Sequence, residues 1–226
     1  MTPFPTVECD IVCPHFLELK WATGCPFNCA WCYLQGTMRH YLPKKEPTYK
    51  SRQKIESHLQ RFFRVEPNLN EVLNTGEVAD SLMSEHTNTP FSKFIIPLFE
   101  TQHKHKLLFL TKSDYVNDLL NMNSHNQVII SFSLNSDVVA KRWEKAPSVA
   151  RRIEAARKVF EGGYETRIRI DPIVPYPENE WTRHYYDLVD DIFSNLCPER
   201  ITLGSLRGLQ STINEAEDKS WVDYLR

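Results

Sequence analysis

Lys106-Leu107-Leu108-Phe109-Leu110-Thr111 is followed by Tyr115 to Met122 and then by Val128-Ile129-Ile130-Ser131-Phe132-Ser133. The two outer runs are short, apolar and rich in β-branched or aromatic residues, as buried strands are. The stretch between them is long enough for a short helix. Strand, helix, strand with no hairpin turn is the signature of a parallel sheet with crossover helices.

The same alternation extends in both directions. Upstream, Phe16 to Trp21 alternates apolar and polar, Ser51 to Arg64 carries Ile55, Leu59 and Phe62 on one helical stripe, and Glu71 to Asn74 reads as a short strand. Downstream, Ser148 can cap a helix with Val149, Ile153, Ala156 and Phe160 on its apolar face, ended by Gly162-Gly163. Thr166 to Ile170 is a strand. Trp181 to Leu196 is an amphipathic helix with Tyr185, Leu188, Val189, Ile192, Phe193 and Leu196 aligned, and Arg200 to Leu203 is a last strand. Six such units predict an α/β fold, a partial (β/α)6 barrel, with its chemistry at the C-terminal ends of the strands. The expected organisation is one domain: a lead-in over 1–14, a barrel core over 15–205 and a C-terminal extension over 206–226.

Strand one runs into Thr23-Gly24-Cys25-Pro26-Phe27-Asn28-Cys29-Ala30-Trp31-Cys32-Tyr33, a C-x3-C-x2-C loop. Three thiolates in one loop can hold one metal centre. A [4Fe–4S] cluster normally takes four cysteines, so three leave one iron open to a second molecule. The rival reading is a structural zinc site in a non-enzymatic binding domain. It needs a fourth ligand, and Cys9 or Cys13 would have to supply it. Cys197 is far away in sequence.

The other strand ends carry further candidates. Asn74-Thr75-Gly76-Glu77 offers a close backbone approach at Gly76 and an acid, Glu77, that can receive an ammonium. Lys112 follows the strand ending at Thr111 and can pair with a carboxylate. Alternation sets Ser131, Ser133 and Asn135 on one side of their strand. Arg167, Arg169 and Asp171 share a face opposite Ile168 and Ile170, which reads either as an internal Arg169–Asp171 pair or as an Arg169 site for an anion.

The totals bound the function. The 226 residues carry a formal charge of −2, with 41% hydrophobic and 25% charged residues. That total gives no strong nucleic-acid footprint, although a balanced total leaves room for a local basic groove. No basic-then-apolar leader is read at the start and no run is long enough to span a bilayer, so a cytoplasmic protein with no membrane partner is expected.

The cysteine spacing resembles the radical S-adenosylmethionine (SAM) superfamily. Within it, Cys32-Tyr33-Leu34-Gln35, Leu110-Thr111-Lys112, Phe132-Ser133-Leu134-Asn135-Ser136 and Ala155-Ala156-Arg157-Lys158-Val159 with Gly163-Tyr164 resemble the spore photoproduct lyase family over roughly residues 16–204. The resemblance implies a [4Fe–4S] cluster on Cys25, Cys29 and Cys32, with SAM on its open iron. Reductive cleavage of SAM would give a 5′-deoxyadenosyl radical that takes a hydrogen atom from substrate. It also implies SAM contacts at Gly76, Glu77, Lys112, Ser133, Asn135 and Arg169, with Tyr33 near the radical path. The expected electron donor is a flavodoxin or ferredoxin.

Two departures bear on the substrate. Thr75 replaces the first glycine of a Gly-Gly-Glu element, and Asn74 stands where photoproduct lyases place the cysteine that returns a hydrogen atom. The part that family members use to grip DNA is expected to be absent after Arg226. The substrate is therefore left open between a DNA photoproduct and a nucleotide, peptide or small metabolite.

Overall fold

Six parallel strands form the curled sheet of a half-barrel, and the alternation read from the sequence is its framework. The computed structural model describes residues 2–3, 16–38, 47–65 and 70–225; most of the lead-in, with Cys9 and Cys13, lies outside these. The sheet order is β1(Thr2–Pro3), β2(Leu17–Glu18), β5(Val72–Asn74), β6(Lys106–Thr111), β7(Val128–Leu134), β8(Glu165–Ile173) and β9(Arg200–Ser205). All neighbours are parallel except β1, which joins β2 antiparallel. A two-stranded ribbon, β3(Ala22–Thr23) with β4(Thr48–Tyr49), branches off beside the cysteine loop.

Burial follows the physics of each strand. All seven residues of β7 are buried, as expected for a central strand covered on both faces. In β8 buried and half-buried residues alternate, with Ile168 and Ile170 in the core and Arg169 and Asp171 facing the barrel interior. The helices α2(Arg52–Val65), α6(Val149–Glu161) and α7(Trp181–Asn195) stand where periodicity places them. Ser148 caps α6, its hydroxyl accepting from the Arg151 amide at 3.4 Å.

Several details differ from expectation. The first strand is only two residues long, and the helix expected over 115–122 is the single turn α4(Asn117–Leu120). Phe160 and Phe193 are 38% and 57% exposed, so neither belongs to the buried stripe. On α6 the buried face instead includes Arg152. The helices α3(Phe91–Phe99) and α5(Asp137–Trp143) were not anticipated.

The segment after Ser205 is no appendage. Helix α8(Gln210–Glu215) packs on the short helix α1(Leu34–Thr37) that follows the cysteines. A second apolar core joins Trp31 and Ala30 of the cysteine loop to Trp143, Leu206, Ala216 and the fully buried Trp221. Gly36 is the close-approach point: a Cβ there would lie 2.5 Å from the backbone of Ser211 and Thr212. Gly36→Ala must push α8 away, so it is expected to cost about 2 kcal/mol, the usual scale of overpacking. Thermal unfolding should shift down by roughly 2–4 °C per kcal/mol; an unchanged midpoint would show that the α1–α8 contact yields freely.

Candidate active site

The cysteine loop is held at its entrance, its middle and its exit. Gly24, at φ +100°, makes the left-handed turn out of β3, and its amide donates to the Val78 carbonyl at 2.9 Å. Gln35, buried in α1, donates from Nε2 to the carbonyls of Cys29 (2.6 Å) and Ala30 (3.0 Å). The Ala30 amide in turn donates to the Trp143 carbonyl at 2.9 Å. These bonds fix the backbone on which the thiols are carried.

Cys25, Cys29 and Cys32 line one cavity together with Tyr33, Gly76, Glu77, Lys112, Ser133 and Arg169. The structure thus gathers nine of the residues singled out from sequence around a single space at the C-terminal ends of the strands. Asn135 is the exception. It is fully buried outside the cavity lining, donating to the Pro172 carbonyl at 2.8 Å and accepting from Tyr185 Oη at 2.6 Å and the Ser136 amide at 2.9 Å. Its amide ties the end of β7 to the loop after β8 and has nothing left for a ligand. Alternation alone could not reveal that the strand turns away after Leu134. Cys197 is exposed and outside the cavity.

Burial pushes the Cys25 thiol well up, helped by the Asp80 charge, and pushes the Cys29 thiol up to about 12 against the opposing charge of Lys112. Such thiols become ligands only when a metal centre's positive charge replaces the proton. Among the described residues no group of three or more His, Cys, Asp or Glu is placed to hold a single metal ion. A [4Fe–4S] cluster gives each cysteine its own iron, and three thiols spread along one buried wall fit that donor pattern.

Opposite the thiols, the polar wall is anchored from behind. Lys112 Nζ donates to Ser133 Oγ at 2.9 Å and to Glu144 Oε1 at 2.7 Å. Glu144, with no side-chain exposure, also accepts from Arg152 at 2.8 Å. Arg152 closes the network with bonds to the Ser133 and Pro147 carbonyls, each 2.8 Å. Burial opposes the Glu144 charge, but Lys112 and Arg152 together hold its carboxyl below the usual range. Two cations against one anion leave a net positive wall, and Lys112 keeps a third donor for an incoming carboxylate.

The Glu77 side differs in sign. Burial raises the Glu77 carboxyl, Arg169 opposes that rise, and Glu18 adds to it. Asn74 holds this turn, donating to Glu77 Oε1 at 2.6 Å and accepting from the Gly76 amide at 2.9 Å. The Tyr33 hydroxyl donates to the Glu77 carbonyl, and burial pushes its acidity well below that of a free phenol. Asp80 accepts from the Lys112 amide (2.7 Å), Thr111 Oγ1 (2.7 Å) and the Leu82 amide (3.0 Å), fastening this turn to the end of β6. Arg169 donates to Asp171 at 2.6 Å while lining the cavity, so the internal pair and the exposed face coexist. Asp80, Glu144 and Arg152 escaped the sequence reading. Asp80, three residues after Glu77 in the same turn, was the one with a readable signal.

Comparison with known proteins agrees with this geometry. The family profile described as spore photoproduct lyase matches residues 15–204. A spore photoproduct lyase of Bacillus subtilis (strain 168) is 30% identical over 181 residues, covering 77% of this chain and 50% of that protein. A spore photoproduct lyase complexed with dinucleoside spore photoproduct superposes with a TM-score of 0.77 at 25% identity, over 91% of this chain and 60% of that one. A mutant of the enzyme with bound AdoMet and the same dinucleoside also gives a TM-score of 0.77, at 24% identity, over 95% of this chain and 63% of that one. The chain spans about half the length of the curated relatives it matches.

Proposed function

Since the chain belongs to the spore photoproduct lyase family, within the radical SAM superfamily, we propose that it is a radical SAM enzyme acting by hydrogen-atom abstraction on a photoproduct-like nucleic-acid lesion. The observation that carries this reading is the shared cavity, with three buried thiols on one wall and Glu77, Lys112 and Ser133 on the other. When bound, the [4Fe–4S] cluster and SAM supply the electron and the 5′-deoxyadenosyl radical; the hard chemistry is theirs.

The chain's own residues bind, orient and exclude water. Cys25, Cys29 and Cys32 hold the cluster. Lys112, braced by Glu144 and Ser133, receives the carboxylate of SAM through its remaining donor. Glu77, with Glu18 behind it, receives the ammonium, since two neighbouring carboxylates favour a cation between them. Arg169 lies beside them to meet ligand oxygens. Asn74 braces the Glu77 turn and carries no hydrogen atom suited to return to a substrate radical. Tyr33 is then the side chain of the cavity wall, cluster thiols aside, with an O–H hydrogen that a carbon radical can take. A flavodoxin or ferredoxin is the reductant of this reading.

The test is anaerobic. The protein is reconstituted with iron and sulfide, reduced and given SAM, and 5′-deoxyadenosine is followed by chromatography with and without the dinucleoside spore photoproduct. A brown protein that forms 5′-deoxyadenosine and releases paired thymidines from the dinucleoside is expected. SAM cleavage without thymidine release would move the substrate to a nucleotide, peptide or small metabolite. A colourless zinc protein that leaves SAM intact would overturn the reading.

A further inference from the structure

The overall charge hides an asymmetry. Residues 39–64 contain eight Lys or Arg against two Glu, so this short stretch is net +6 in a chain of net −2, and the remainder is net −8. The described part of this stretch builds β4 and α2. Between them run two contiguous surface cavities, of about 280 and 230 Å³, that share Lys50 and Ile55. The first is walled by Trp21, Tyr49 and Arg52, the second by Lys20, Lys54 and His58.

The chemistry of this groove is cationic and aromatic. Lys50 and Lys54 are exposed and make no ion pair among the described residues. The one carboxylate lining it, Glu18, is engaged by Lys20 at 3.6 Å. Helix α2 begins there with no acidic residue in its first turn, so its positive end is not neutralised locally. Tyr49 is 56% exposed, with its ring 5.7 Å from Trp21, and Trp21 is itself stacked on Phe91 at 4.0 Å. A tyrosine face held rigid by aromatic packing and flanked by lysines is a platform for a nucleobase.

The groove is also joined to the active site. Tyr49 pairs with Ala22 across the ribbon, two residues before the turn into Cys25. Trp21 Nε1 donates to the Thr75 carbonyl at 3.0 Å, in the turn that presents Glu77. Glu18 lies at the bottom of the second cavity and acts on the charge of Glu77.

We propose that the groove between β4 and α2 is a docking track for a single-stranded or locally opened nucleic-acid strand, with phosphates along Lys20, Lys50, Lys54 and His58 and a base stacked on Tyr49. The track leads a polyanion towards the cavity mouth and gives a near-neutral protein a local electrostatic footprint. It deepens the function proposed above by naming a binding surface, yet it can be measured without any SAM chemistry.

The experiment is fluorescence anisotropy of the whole reconstituted protein with a fluorescein-labelled oligothymidylate over a salt series. The Lys50→Glu/Lys54→Glu variant is compared with Lys141→Glu/Lys145→Glu, an equal charge change outside the groove. The groove variant is expected to raise Kd more than tenfold and to lower the salt slope by about two, one per lost phosphate contact. Tyr49→Ala is expected to weaken binding several-fold with the slope unchanged. Substrate-free 5′-deoxyadenosine formation should stay intact in all of them, so a failure of the proposed chemistry shows there and not in Kd. Equal losses in groove and control variants would overturn the proposal, as would displacement of the oligonucleotide by a poly-glutamate peptide at equal charge concentration.

Discussion

Cys29→Ala is expected to emerge from reconstitution without the brown colour of a cluster and to form no 5′-deoxyadenosine above background. Cys29 is the middle thiol of the three and the most enclosed, 5% exposed in the cavity wall. The cluster has three protein ligands here, so losing one leaves two. Removing even an outer-shell partner costs roughly 10–100-fold in metal affinity or activity, and removing a ligand should exceed that range. The fold should survive, because the loop is held by Gln35 and Ala30 through backbone atoms that the substitution leaves in place. Unfolding of the cluster-free protein should therefore match that of cluster-free wild type. Cys197→Ala, changed on the exposed surface, should retain both colour and SAM cleavage. A Cys29→Ala protein that still held its cluster and cleaved SAM would remove Cys29 from the ligand set.

Much of this site could be read before any coordinates because the fold imposes an address. Once Lys106–Thr111 and Val128–Ser133 are parallel strands, their C-terminal ends must meet at one rim. The residues just beyond them, Lys112, Ser133, Glu77 and Arg169, then converge with the cysteine loop. Periodicity reports burial and not purpose, and its misses follow from that. Arg152 lies on the buried face of α6 beside Ile153 and Ala156, where a pattern reader sees only an interruption. Glu144 follows the last residue of α5, outside any repeat. Helix α3 contains Pro97, which reads as a breaker although the helix accommodates it. The packing of residues 206–225 under the cysteine loop depends on contacts nearly two hundred residues apart, such as Asn28 with Glu217, and short-range patterns cannot encode those.

Arg152→Ala is expected to destabilise the protein by about 3–5 kcal/mol, the range for removing one partner of a buried ion pair. Arg152 is 1% exposed, and its guanidinium satisfies Glu144 and two carbonyls at once. The variant leaves Glu144 with Lys112 alone and strands both carbonyls, so Arg152→Lys should rescue only part of the loss: one ammonium cannot reproduce the fork. The pH dependence has a definite sign. The Glu144 carboxyl is held below its ordinary value of 4.5 in the folded state. Its contribution is therefore complete above that value and declines as pH falls through the lower, folded value. The stability gap between wild type and variant should be widest near neutrality and narrow below about pH 4.5. The same substitution frees Lys112 and Ser133 from their brace. The KM for SAM in uncoupled cleavage should then rise more than kcat falls, because a mobile ammonium binds the carboxylate less well without altering the cluster. Replacing both partners, Glu144→Leu with Arg152→Met, separates the two roles, since it should recover much of the stability while leaving the KM for SAM elevated. If the double variant bound SAM as tightly as wild type, the Glu144–Arg152 pair would be a stabiliser of the fold with no part in positioning Lys112.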